Sequence, residues 1–134
     1  MAEGKIAFEL VSPERLLLSQ DVEMVVVPGE EGDFGVLTRH SPMISTLRPG
    51  VIQVHEGSTV TDSIFVAGGF AEVTPARCTV LAEEAVAVGD IDRAATEQRL
   101  SDARDDLLDA KTDLEKAAAE RQIAVSEAML KAAG

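Results

Sequence analysis

"SIFVAGGFAEVTPARCTVLAEEA", residues 63–85, decides the fold of the first part of this chain. Two short apolar runs flank Gly68 and Gly69. The Thr74–Pro75–Ala76 segment then closes a turn, and "RCTVLAE" follows as a third run. Runs this short, separated by Gly and Pro, do not make helices. They read as β-strands joined by tight turns.

The same grammar extends toward the N-terminus. Ile6, Phe8 and Leu10 alternate with Ala7 and Glu9. "DVEMVVVPG", residues 21–29, is a β-branched run closed by Pro28 and Gly29, and "VIQVHEG", residues 51–57, alternates and ends at Gly57. Turn signals at 28–32, 40–42, 48–50, 55–58, 67–69 and 74–76 recur about every eight to twelve residues, the rhythm of an all-β sandwich or flattened barrel. The reading is roughly eight to ten strands up to Val88. Cys78 lies in an alternating apolar run and is expected as a small core residue. As a lone cysteine it offers no internal disulfide and no cysteine-based zinc site.

After "AVAVGDID" the pattern changes. From Ile91 to Ala133 there is no Gly or Pro, and Ala, Leu, Glu, Asp, Lys and Arg dominate. Leu100, Ala103, Leu107, Leu114, Ala118, Val125 and Met129 recur at helical spacing. Asp90 is the expected N-cap of the first helix, and Thr112 with Glu115 forms a capping box that would start a second helix near Asp113. The break at "LDAKTD" is soft, so one long helix is the alternative. An Ala-rich pair of this kind buries little apolar area per turn.

The chain has 134 residues, 46% hydrophobic, with 24 acidic and 12 basic side chains. Its net charge of −12 argues against a nucleic-acid partner, which needs a concentrated positive face. Four Phe with no Trp or Tyr leave little for base stacking. The acidity serves solubility or steers the chain to a basic surface. Residues 1–90 carry 14 acidic and five basic residues, while 91–134 carry ten and seven. No apolar run approaches the ~18–20 residues of a membrane span, and the N-terminal stretch has no signal or transit pattern. The expectation is a soluble bacterial cytoplasmic protein able to dock on a membrane complex, without direct bilayer insertion.

Catalytic chemistry finds little support. His40 with Ser41 or Ser45 lacks the strand–turn–helix elbow of a hydrolase nucleophile. His40 and His55 alone nominate no metal site. "PGEEGDFG" has glycines but no phosphate-loop lysine or following helix. No catalytic residue, metal ligand or cofactor is assigned. What remains is an exposed Gly/Pro-rich edge over 28–50, presented from a rigid scaffold, where binding residues tend to lie. Phe34 and Met43 supply apolar contacts there, and Glu31, Asp33, Arg39 and His40 polar ones.

"VPGEEGDFGVLTRHSPMISTLRPGV" (27–51) followed by "IFVAGGFAEVTPARCTVLAEEA" (64–85) resembles the ε subunit of bacterial F-type ATP synthases. Four motifs carry the resemblance in order: Gly29-x-x-Gly32-x-x-Gly35, His40-Ser41-Pro42, Arg48-Pro49-Gly50 and Ala67-Gly68-Gly69-Phe70-x-Glu72-Val73. The likeness extends over essentially the full 134 residues. It implies a ten-stranded N-terminal β-sandwich (1–88) and a C-terminal antiparallel helical hairpin (89–134). It also implies a non-catalytic place in the rotor, at the cytoplasmic face of the bacterial inner membrane. One face of the sandwich would grip the γ subunit and its membrane-facing end would rest on the c-ring. Gly29, Glu31, Gly32, Asp33, Phe34, His40, Ser41, Pro42 and Met43 fall where the family meets that ring.

The resemblance further implies regulation. The helices of the family can extend along γ to the α/β catalytic subunits and slow hydrolysis. After Asp113 only Lys116, Arg121 and Lys131 supply cations for such a contact, so the expectation is weak inhibition or inhibition delegated to another protein. Some relatives bind ATP on the hairpin through I/L-D-x-x-R-A. Here Ile91 and Asp92 match, but Ala95 and Thr96 replace the Arg and Ala, and Arg93 is about 200° away around a helix. Arg99 and Arg121 are the remaining candidates for a phosphate, and ATP binding is expected to be feeble or absent. The alternative is an ATP-sensing module whose hairpin folds on nucleotide.

Overall fold

The computed structural model describes residues 4–134. Ten strands come first: β1 (Ile6–Val11), β2 (Leu16–Val22), β3 (Met24–Gly29), β4 (Gly32–Val36), β5 (Met43–Leu47), β6 (Gly50–Glu56), β7 (Thr59–Val66), β8 (Gly69–Val73), β9 (Arg77–Ala82) and β10 (Ala85–Ala87). A 3-10 turn at Val88–Asp90 leads to α1 (Arg93–Asp109) and α2 (Asp113–Ala133). The chain divides into two compact units between Ala87 and Val88.

Hydrogen bonds link the strands in the order β10-β7-β6-β3-β5-β8-β9-β1-β2, with β4 on the other edge of β3. The path turns a corner at β3. Its first residues, Met24–Val26, pair with β6, whereas Gly29 at its end pairs with Leu47 of β5. This corner folds one sheet into a sandwich, with β4-β3-β6-β7-β10 on one side and β5-β8-β9-β1-β2 on the other. Ile6, Phe8, Leu10, Cys78 and Val80 from the second set share one core cluster with Val25, Val27, Val36, Ile52 and Val54 from the first. β1 and β9 pair in parallel, from Ala7 with Arg77 to Val11 with Leu81.

Period two holds where the sequence reading placed it. In β1 the buried residues are Ile6, Phe8 and Leu10, and in β8 they are Gly69, Ala71 and Val73. Each fully buried Phe, Leu, Ile or Val contributes ~1.5–3 kcal/mol relative to exposure. A bulge between Leu10 and Val11 resets the register so that Val11 faces Leu16. Cys78 is fully buried. Burial pushes its thiol from 9.0 up to about 12, which keeps it neutral and inert.

The helical unit is two helices, and the capping box decides this. The Glu115 amide donates to Thr112 Oγ1 at 3.1 Å, and the Thr112 amide donates to Glu115 Oε1 at 3.1 Å. Both orphan donors are satisfied, so a new helix starts there rather than α1 continuing. The expected N-cap at Asp90 moves two residues on. Asp90 belongs to the 3-10 turn, and Asp92 caps α1, accepting from the Ala95 amide at 3.0 Å.

Leu100, Ala103, Val125 and Met129 are buried as expected. Leu114 is 81% exposed and Ala118 is exposed, while Ala119 and Ser126 are buried instead. The expected α2 stripe thus holds in the second half of the helix, at Val125 and Met129, and fails in the first, where Ala119 is the buried residue. Across the antiparallel pair, Thr96 Oγ1 lies 3.4 Å from Met129 Sδ, and the Arg99 guanidinium donates to Gln122 Oε1.

Candidate functional site

The β3–β4 hairpin turns in two residues, Glu30 and Glu31, between the paired Gly29 and Gly32. Both glycines are required, for different reasons. A Cβ on Gly29 would stand 2.6 Å from the Gly32 carbonyl oxygen and 2.9 Å from the Phe34 ring. Gly32 has φ near +142°, a region L side chains rarely adopt.

The connection from β4 to β5 carries His40. Arg39 precedes it with φ of 67°, left-handed for a non-glycine residue, and its amide donates to the Pro75 carbonyl at 2.8 Å. The His40 amide donates to Leu37 O, and His40 Nδ1–H donates to Ser41 O at 2.7 Å. This leaves Nε2 of the neutral ring as an acceptor.

These segments enclose an open groove of about 430 Å³. The 29–32 turn and Phe34 form one side, residues 43–46 of β5 the other, and His40 joins them. Six of the nine residues expected at the ring contact therefore come together: Gly29, Glu31, Gly32, Phe34, His40 and Met43. Asp33, Ser41 and Pro42 do not line the groove. Asp33 is turned to Arg48, which donates to its Oδ1. Ser41 and Pro42 are exposed beside it.

The sequence reading did not place Glu30, Ile44, Ser45 or Thr46 at this contact, nor Arg48 behind it. Ile44 lines the groove and is 72% exposed, though its strand is too short for alternation to mark it. Arg48 donates from Nη1 to Gly29 O and from Nη2 to Asp33 Oδ1, which ties the corner after β5 to the turn. Its only sequence signal was a cation before Pro49-Gly50.

His40 spends Nδ1 on a backbone carbonyl, and Ser45 donates its hydroxyl to Thr46 O. Among the described residues no group of three or more His, Cys, Asp or Glu is placed to hold a metal.

The hairpin residues expected at a nucleotide are dispersed in role. Asp92 is engaged as the α1 N-cap, and Arg93 pairs with Glu97 one turn on at 3.5 Å. Arg99 borders an open groove of about 310 Å³ whose other lining includes Asp102, Asp106 and Gln122; Ile91, Asp92 and Arg121 do not line it. Two carboxylates beside one guanidinium oppose a polyphosphate. Isothermal titration of the full-length protein with ATP is therefore expected to give a Kd in the millimolar range or weaker, and micromolar binding would refute this. Lys116, Arg121 and Lys131 are exposed along α2 among acidic neighbours.

Residues 5–88 match the family model of the β-sandwich domain of the ATP synthase delta/epsilon chain, and residues 92–134 match that of the C-terminal domain of the ATP synthase epsilon chain. The protein belongs to the ATP synthase epsilon chain family. It is 59% identical to the ATP synthase epsilon chain of Paramagnetospirillum magneticum, over 96% of each sequence. It is 56% identical to that of Rhodospirillum rubrum, over 93% of each. Among solved structures it resembles a subunit of the Euglena gracilis mitochondrial ATP synthase, in a cryo-EM structure of OSCP/F1/c-ring in rotational state 1. The TM-score is 0.81 at 25% identity, covering 98% of this protein and 82% of that one. The Tetrahymena thermophila mitochondrial ATP synthase central stalk/c-ring structure contains a subunit of the same fold, with TM-score 0.65, 18% identity and 97% of each covered. No helix among the described residues is long and apolar enough to cross a membrane.

Proposed function

We propose that this protein is a non-catalytic central-stalk subunit of a bacterial F-type ATP synthase, coupling proton-driven rotation of the c-ring, through γ, to ATP synthesis. The observation that carries the reading is the groove on the sandwich. Tight glycine turns and a rigid sheet corner present apolar and acidic side chains outward there. The sandwich (1–88) is the coupling domain, resting with the groove end on the c-ring and gripping γ by one face. Hairpin residues 89–134 form the regulatory domain, reaching the α/β subunits when extended. The subunit works peripherally at the cytoplasmic face of the inner membrane, without nucleic acid or cofactor. Family membership over both domains supports this assignment.

The test uses purified ATP synthase stripped of this subunit. Either the full-length protein or residues 1–88 are added back, and rebinding and ATP hydrolysis are recorded. Both are expected to bind. The full-length protein is expected to slow hydrolysis by only about twofold, a difference of ~0.4 kcal/mol in barrier, because α2 offers few cations. Failure of both to bind overturns the rotor reading.

A further inference from the structure

Arg48 has no assigned part in the groove, yet no other side chain of the site is tied down at so many points. It stands where the backbone leaves β5 for β6. Its amide donates to Pro28 O at 3.0 Å, and nearby the Glu30 amide donates to Thr46 O at 2.9 Å. These two bonds zip the end of β3 to β5 on either side of Gly29. The segments run close together here, since a Cβ on Gly50 would stand 2.7 Å from Pro28 Cβ. From this anchored backbone the guanidinium reaches back over the hairpin. Nη1 meets the Gly29 carbonyl before the turn, and Nη2 meets the Asp33 carboxylate after it, each at 2.5 Å.

One planar, forked cation thus holds both ends of the 29–33 turn. A point ammonium would have no fork to share between two separated acceptors. The ion pair is 41% and 57% exposed at its two side chains, so its worth to global stability is small. Its geometry matters more than its strength. The turn carries Glu30 and Glu31, neither of which has an ion pair among the described residues, and Phe34 follows directly. With Asp33 neutralised by Arg48, Glu30 and Glu31 are the carboxylates left to face a partner.

We propose that Arg48 is the positioning residue of the groove: it fixes the turn side against the β5 side, so that Glu30, Glu31 and Phe34 meet the partner preformed. This rests on the reading of the groove as the rotor contact.

The test compares wild type, Arg48→Ala, Arg48→Lys, Asp33→Asn and Asp33→Ala as full-length proteins. Three quantities are measured: the thermal midpoint, amide hydrogen exchange at Glu30–Gly32, and affinity for the stripped synthase with its c-ring. Arg48→Ala is expected to leave the midpoint within about 5 °C. It should speed exchange at 30–32 and weaken binding about tenfold, the loss of a preorganised surface. Asp33→Asn keeps an acceptor for Nη2, so exchange at 30–32 should stay near wild type. Asp33→Ala and Arg48→Lys should fall between.

A merely structural arginine would lower midpoint and affinity together and speed exchange throughout the sheet, which would overturn the proposal. So would wild-type affinity in Arg48→Ala with unchanged exchange. If Arg48→Ala does not fold, Asp33→Ala decides by the same readouts. If wild type itself does not bind the synthase, the rotor reading fails, while exchange at 30–32 still decides whether Arg48 holds the turn.

Discussion

Gly69→Ala is expected to destabilise the sandwich by about 2–6 kcal/mol. Gly69 has φ of +135°, and a Cβ there would stand 2.0 Å from the Leu81 carbonyl oxygen and 3.0 Å from its carbon. The obstacle is backbone, and Gly69 is itself paired with Leu47 on one side and Ala82 on the other. Neither neighbour can retreat without breaking a ladder. Backbone strain costs ~1–3 kcal/mol, and forcing atoms into a packed site costs a further ~1–3 kcal/mol or more. A loss of about 2–6 kcal/mol is a large share of the ~5–15 kcal/mol of a typical domain.

Gly68→Ala is the matched control. Its φ is +133°, but the nearest atoms to its Cβ are at 3.6 Å, so only strain remains. Thermal unfolding followed by circular dichroism separates the two. Equal losses would mean that the backbone angle, and not the Leu81 carbonyl, imposes glycine at 69.

Phe8→Ala is expected to cost about 3–5 kcal/mol, the range for deleting a buried aromatic ring from a core that cannot collapse around the hole. Phe8 is fully buried, in one cluster with side chains from both sides of the sandwich. Phe70 is the comparison. It belongs to the same half of the sandwich but points out of it and is 53% exposed. Phe70→Ala is expected to change stability by less than ~1 kcal/mol. Urea unfolding of both variants tests this, since the midpoint should fall for Phe8→Ala with an unchanged slope. A loss below ~1 kcal/mol for Phe8→Ala would show that the two layers repack around that site, contrary to a densely packed interior.

Both expectations concern residues that local pattern alone had marked. Ile6, Phe8 and Leu10 announced an inward face because side chains alternate across any strand, whatever it pairs with. Gly68-Gly69 announced a turn, and Thr112 with Glu115 announced a helix start, because caps and turns are satisfied within four residues. The candidate groove was partly legible for the same reason. Its glycines, His40 and Met43 lie in turn-rich sequence and in motifs shared with a known family.

The remainder depended on distant partners. That β1 would lie parallel to β9, with partners 70 residues apart, follows from the closure of a sheet and leaves no mark in either strand. Asp92 rather than Asp90 caps α1 because a 3-10 turn intervenes, and Leu114 lies outside the buried face of α2 although Val125 and Met129 lie within it.

Arg48 is the sharpest case. In sequence it is a cation in a turn, and its meaning appears only when the corner at β3 brings Gly29 and Asp33 within reach of one guanidinium. The sequence by itself determined the strands, the turns, the helix pair and the family. Tertiary structure alone decided which turns share a groove and which residue holds it, because that depends on the distance between segments far apart in the sequence.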